Sequence, residues 1–210
     1  MILTTKKTKD YELLDAGDGL KLERYANVVF SRPDPEALWK RNLPSNVWDK
    51  ADAVFIRQGT RTEWKLKNSV PAKWNIDFGG YTFAIKPTSF KHVGLFPEQL
   101  ANWDWMKEVI NKNKSDYPET IKVLNLFGYT GGASLACADA GAEVCHVDGS
   151  KSAVAWAKEN AELSGLADKP IRWIIDDVIV FLRREVKRGN KYDAILMDPP
   201  AFGHGPKDEL

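Results

Sequence analysis

From residue 121 onward, short apolar runs alternate with stretches in which apolar positions recur every three or four residues. The runs at 121–126, 143–147, 171–175 and 192–197 predict strands, and 132–140, 150–164 and 178–187 predict helices between them. Ser150 offers an N-cap to the second helix, and Gly141, Gly165 and Gly189 stand where each helix must turn away. Apolar strands joined by helical crossovers imply a parallel sheet covered on both faces.

The first hundred residues have a different rhythm. Strands are predicted at 11–15, 21–24, 27–30, 53–57, 60–66 and 81–86, with Gly17-Asp18-Gly19, Arg32-Pro33-Asp34-Pro35 and Gly79-Gly80 as turns. In 60–66 the residues Thr60, Thr62, Trp64 and Leu66 alternate with Arg61, Glu63 and Lys65, the pattern of a half-buried antiparallel strand. Leu100, Trp103, Met106 and Ile110 then recur at helical spacing behind Pro97, and the polar stretch 112–118 closes on Pro118. The expected organisation is a mostly-β region over 1–96, a connecting helix and linker over 97–118, and a Rossmann-like α/β domain over 119–210.

Charge adds one hint to this picture. Residues 1–118 carry 19 basic against 15 acidic side chains and residues 119–210 carry 11 against 14, so a net charge of +1 hides +4 and −3. Between Phe55 and Lys91, the cations Arg57, Arg61, Lys65, Lys67, Lys73, Lys86 and Lys91 interleave with Trp64, Trp74, Phe78, Tyr81 and Phe83. Such interleaving suits phosphates and unpaired bases, but alternating strands over an aromatic core produce it as well. Two cysteines, Cys137 and Cys145, supply neither a disulfide framework nor a metal site. No signal peptide or membrane span is expected, so Lys207-Asp208-Glu209-Leu210 is a coincidental match to a retention signal and the expected compartment is the cytoplasm.

In a parallel α/β sheet, ligands bind beyond the carboxyl ends of the strands. The first end reads Asn125-Leu126-Phe127-Gly128-Tyr129-Thr130-Gly131-Gly132, a glycine turn opening a helix, with a spacing unlike the G-x-G-x-x-G dinucleotide fingerprint. The second ends in Asp148, a carboxylate able to accept both hydroxyls of a ribose. The third ends in Asp176-Asp177, where one carboxylate could take an adenine amino group and the other cap the next helix. The fourth ends in Asp198-Pro199-Pro200-Ala201-Phe202, a stiff turn with free carbonyls beside a carboxylate.

Taken together, Asn-x-Phe-x-Tyr-Thr-Gly, Asp-x-Ser, Asp-Asp-Val and Asp-Pro-Pro-x-Phe resemble the class I S-adenosylmethionine-dependent methyltransferases similar to bacterial 23S ribosomal RNA large-subunit methyltransferases. Gly94-Leu95-Phe96-Pro97-Glu98-Gln99 resembles that family's Gly-x-Phe-x-x-Gln signature. The resemblance runs from Phe90 to Phe202. It implies S-adenosyl-L-methionine as cofactor and ribosomal RNA as substrate; from the sequence itself, no membrane partner and no metal are expected. It places Phe127, Tyr129, Thr130 and Gly131 along the methionine part and counts Asn125 and Ser150, from the same motifs, among the cofactor-binding residues. Asp148 would hold the ribose and Asp177 with the Val178 backbone the adenine. Asp198, Pro199 and Pro200 would face the methyl acceptor, and Phe96 and Gln99 would close the pocket.

Two departures stand out. Ala201 separates the prolines from Phe202, which disfavours an exocyclic-amine target, and neither cysteine is placed as the thiolate that cytosine-C5 methylation requires. The family's sheet has seven strands in the order 3-2-1-4-5-7-6, so the resemblance implies a domain truncated after its fourth strand. Such a chain is expected to bind the cofactor weakly without turnover. A methyltransferase of proteins or small molecules, and a non-catalytic cofactor- or RNA-binding module, stay open as alternatives, with a dehydrogenase more distant.

Overall fold

The computed structural model describes residues 4–58, 61–89, 91–115 and 119–200. Thr60, Phe90, Pro118, Ala201, Phe202 and residues 207–210, on which parts of the sequence reading rest, lie outside the described residues. The chain divides into two compact units, Thr4–Leu95 and Phe96 onward.

In the first unit β1 (Tyr11–Gly17), β2 (Leu20–Tyr25), β3 (Val28–Pro33), β4 (Ala53–Gln58) and β5 (Arg61–Leu66) form one sheet in sequence order. Pairing is antiparallel except between β3 and β4, where α1 (Ser45–Trp48) lies in the crossover. β6 (Trp74–Phe78) and β7 (Tyr81–Ile85) form a separate hairpin around Gly79-Gly80. The strand rhythm missed β6 and α1, and it placed Arg32 and Pro33 in a turn although both belong to β3. That strand extends because Arg32 is held by a buried partner: its Nε donates to Glu23 at 2.6 Å. A terminal proline is tolerated where the ladder ends.

The two faces of this sheet pack differently. Leu22, Trp48, Ala51 and Val54 cluster on one. On the other, Phe30 stacks on Trp74 at 5.8 Å and meets Tyr25 edge-on at 5.5 Å, while Tyr11 meets Phe78. Phe78, Tyr81 and Phe83 are buried, so these aromatics of the basic stretch build a core.

The second unit opens with a 3-10 turn at Pro97–Gln99 and α2 (Leu100–Asn113). Then follow β8 (Lys122–Leu126), α3 (Gly132–Asp139), β9 (Glu143–Asp148), α4 (Lys151–Leu163), β10 (Ile171–Ile175), α5 (Val178–Arg188) and β11 (Ala194–Met197). The four strands are parallel in the order β10-β9-β8-β11, so the chain order is 3-2-1-4. Alternate side chains serve opposite layers. Val123, Val144 and Leu196 pack with Ile110 and Cys137 on the α2–α3 face, and Leu124, Val147 and Ile174 pack with Phe181 on the α5 face. The topology returns the first strand to the middle of the sheet and places the ends of all four strands on one rim. No helix among the described residues is long and apolar enough to cross a membrane.

Candidate functional site

Among the described residues, the loop after β8 is the most contorted backbone of the rim. Phe127 and Tyr129 take positive φ values of 56° and 48°, and Gly131 follows at 91°. Side-chain-bearing residues adopt this conformation at a cost and hold it only where the surroundings enforce it. Three contacts do so here. Gly128 N–H donates to the Val147 carbonyl at 3.1 Å, Tyr129 N–H donates to Asp148 Oδ2 at 2.9 Å, and Asn160 Nδ2 donates to the Thr130 carbonyl at 2.9 Å.

Three glycines let the loop come this close. A Cβ on Gly128 would lie 2.4 Å from the His146 ring, one on Gly132 would lie 2.2 Å from the Trp103 ring, and one on Gly131 would touch Ala157 at 3.0 Å. Beneath the loop runs a buried polar chain: Asn125 Nδ2 donates to Ser134 Oγ at 2.8 Å, which meets His146 Nδ1 at 2.9 Å. Burial pushes the His146 pKa down to about 4, so its ring is neutral at ordinary pH. His146 Nε2 has no hydrogen-bond partner among the described residues. Asn125 thus supports the loop from below. Ser134 and His146 were missed by the sequence reading, although a histidine inside the apolar strand Glu143–Asp148 was a visible signal.

Asp148 stands at the end of β9 and joins two loops. Its second oxygen accepts Ser150 N–H at 2.8 Å, so its carboxylate is shared between the turn after β8 and the start of α4. Ser150 caps α4, its hydroxyl accepting Ala153 N–H at 3.2 Å. Of the acidic pair after β10, Asp177 caps α5 by accepting Val180 N–H at 2.9 Å, and Asp176 pairs with Arg184. Val178, the first residue of α5, brings to the rim an amide of the kind left without an intrahelical acceptor.

The fourth strand end meets the entrance of the unit. Gln99 Nε2 donates to Asp198 Oδ2 at 3.1 Å while its carbonyl accepts Asn102 Nδ2 at 2.7 Å. Phe96 lies 5.3 Å from the Tyr129 ring, which in turn lies 6.4 Å from Trp156. Pro199 and Pro200 are exposed just past β11. The structure therefore brings Gln99 to Asp198, Phe96 to Tyr129, and Tyr129 and Ser150 to Asp148. Both cysteines are buried, and burial pushes the Cys137 thiol up to about 12 and raises that of Cys145 as well. Neither is a nucleophile in this setting.

The chain has known counterparts in sequence and fold. The family described as conserved hypothetical protein 95 matches residues 101–205. The chain belongs to that family. Its fold is that of the class I, S-adenosylmethionine-dependent methyltransferases. A solved S-adenosylmethionine-dependent methyltransferase from Agrobacterium tumefaciens superposes with a TM-score of 0.84 at 47% identity, over 93% of this chain and 62% of that one. A methyltransferase structure from Streptococcus mutans gives 0.70 at 20% identity over 93% of this chain and 53% of that one, a likeness of fold alone. Among curated proteins, ribosomal RNA large subunit methyltransferase I of Aeromonas salmonicida is 43% identical over 89 residues. Methyltransferase K/L of Shewanella baltica is 30% identical over 188 residues, 83% of this chain. The matched part of this chain is 42% for the former, and the chain spans 22% and 25% of these two relatives' lengths.

Proposed function

We propose that this chain binds S-adenosyl-L-methionine on the rim of its parallel sheet as the cofactor side of a methyltransferase acting on a base of ribosomal RNA, in the cytoplasm. The observation that carries the reading is Asp148, a carboxylate held by two backbone N–H groups between the turn after β8 and the start of α4. A carboxylate has about four lone-pair sites, so two remain for the hydroxyls of a ribose. The rest of the rim fits the same ligand. The contorted turn Phe127–Gly131, stripped of Cβ atoms at its glycines, accepts an amino-acid portion, and Asp177 with the Val178 amide suits an adenine edge. Bound there, the cofactor supplies an electrophilic methyl group on a sulfonium. The protein's own contribution is positioning. Gln99 holds the Asp198 carboxylate at the mouth, and Pro199-Pro200 stiffen the backbone that faces the acceptor.

Calorimetric titration of S-adenosylmethionine tests the assignment. The wild-type chain should give one site, weakened at least tenfold by Asp148→Ala, with NADH unable to compete. Asp148→Asn, which keeps one acceptor oxygen, should retain the fold and still lose affinity. Binding indifferent to both substitutions refutes the site.

A further inference from the structure

A set of like charges converges in the first unit. Lys21 of β2 and Arg32 of β3 are direct register partners, so two cations leave the same face of the sheet side by side. Arg32 Nη1 also donates to the Lys91 carbonyl at 3.2 Å, which sets Lys91 and His92 beside the pair. Like charges placed opposite one another across a ladder oppose folding. Glu23 relieves part of this, lying 2.6 Å from Arg32 and 3.8 Å from Lys21, and Asp34 lies 4.0 Å from Lys21. Arg57 stands on the same face one strand over: β4 pairs with β3 through the pairs Phe30–Ala53 and Ser31–Val54, so 53, 55 and 57 alternate onto the face of Phe30 and Arg32. Burial lowers the pKa of Lys91, and Lys21, Arg32 and Arg57 lower it further, with Asp34 opposing them. His92 is driven to about 4 by burial, then by Arg32, Lys91 and Lys21.

We infer that Lys21, Arg57 and Lys91, arrayed around the Arg32–Glu23 pair, form a binding site for the phosphodiester backbone of RNA. This rests on the ribosomal-RNA reading and deepens it by naming a surface of the first unit that holds the substrate. A buried carboxylate locks Arg32 in place, so the array is pre-formed, and a polyanion removes the repulsion that folding leaves behind.

The test is binding of a fluorescein-labelled RNA stem-loop to the full chain by anisotropy, between about 50 and 200 mM salt. Lys21→Gln/Arg57→Gln/Lys91→Gln should weaken binding about tenfold or more and lower the salt slope by about 2, near 0.7 for each cation lost. Arg57→Gln/Lys91→Gln, which spares the half-buried ion pairs of Lys21, should give an intermediate loss. S-adenosylmethionine affinity and melting temperature check that the variants fold. A control removing Lys112, Lys151 and Lys187 from the second unit should leave the slope unchanged. If the triple variant keeps the wild-type slope, or the control lowers it equally, this site is overturned while the RNA reading stands. If the wild-type chain binds cofactor but no RNA, the RNA reading falls and takes the site with it.

Discussion

Gly128 offers the sharpest test of how the rim is built. It is not among the glycines with positive φ, so alanine meets no backbone penalty there. The obstacle is space: the new methyl would lie 2.4 Å from His146 Cε1 and 2.5 Å from Nδ1. His146 is fully buried and its Nδ1 is committed to Ser134, so the ring moves only by giving up that bond. Overpacking of this kind costs about 1–3 kcal/mol, and the lost hydrogen bond adds about 1 kcal/mol. Gly128→Ala should therefore destabilise the second unit by about 2–4 kcal/mol, with a melting point about 5–15 °C lower. Cofactor affinity should fall as well, because Tyr129 N–H shifts away from Asp148. The decisive assay is a double-mutant cycle by urea denaturation. His146→Ala opens a cavity where the methyl would go, so in that background Gly128→Ala should cost less than about 0.5 kcal/mol. Equal cost in both backgrounds, or a neutral single mutant, refutes the steric argument.

Asp148→Ala should cost about 1–3 kcal/mol of stability, since two backbone N–H groups lose their acceptor, and Asp148→Asn should cost less; both are read by thermal unfolding without cofactor. Arg32→Met should destabilise the first unit by about 3–5 kcal/mol, because Glu23 would be left buried and charged, while Glu23→Gln/Arg32→Met should recover much of that loss. Gln99→Ala, which frees Asp198, should leave cofactor affinity within about twofold and lower methyl transfer in any form of the protein that turns over. His146 gives a pH signature. Its folded pKa of about 4 lies below the ordinary 6.5, so the unfolded chain binds the extra proton between those values. Its contribution is complete above about pH 6.5 and is lost as the pH falls toward 4, a difference of about 3 kcal/mol at 1.36 kcal/mol per pKa unit. His146→Gln should flatten the urea stability of the second unit over that window.

Periodicity fixed the second unit almost element by element, because buried parallel strands and amphipathic helices have patterns that differ along their whole length. β10 was placed to the residue, and Asp148 and Asp198 fell at or just past strand ends as read. The first unit was less legible. β6, with the sequence Trp74-Asn75-Ile76-Asp77-Phe78, lies behind Pro71, and its alternation buries only Ile76 and Phe78, too short a signal to separate from a loop. Arg32-Pro33 looked like a turn because the feature that makes it strand, the buried carboxylate of Glu23, is nine residues away in sequence. The same blindness to distance hid the relay from Asn125 to His146. Each member is an ordinary polar residue in its own element, and only the sheet register together with α3 brings them into line.

The strand-end carboxylates carry a further argument. From sequence, capping and ligand binding compete as explanations for Asp177, and the structure puts its Oδ1 on the Val180 N–H. That bond uses one lone pair of one oxygen of an exposed side chain and restrains its rotamer, and the remaining lone pairs can serve a ligand. Asp148 follows the same logic with two backbone donors instead of one. A carboxylate anchored this way loses little rotamer freedom when a ligand arrives, so the ordering cost of binding is met in folding. Capping and recognition are then one device, and the bonds that shape the rim without cofactor are those that would aim it at a nucleoside. It follows that lengthening Asp177 to glutamate, which keeps the charge but displaces the cap, should weaken cofactor binding more than it destabilises α5. Equal losses would mean that the cap is structural alone.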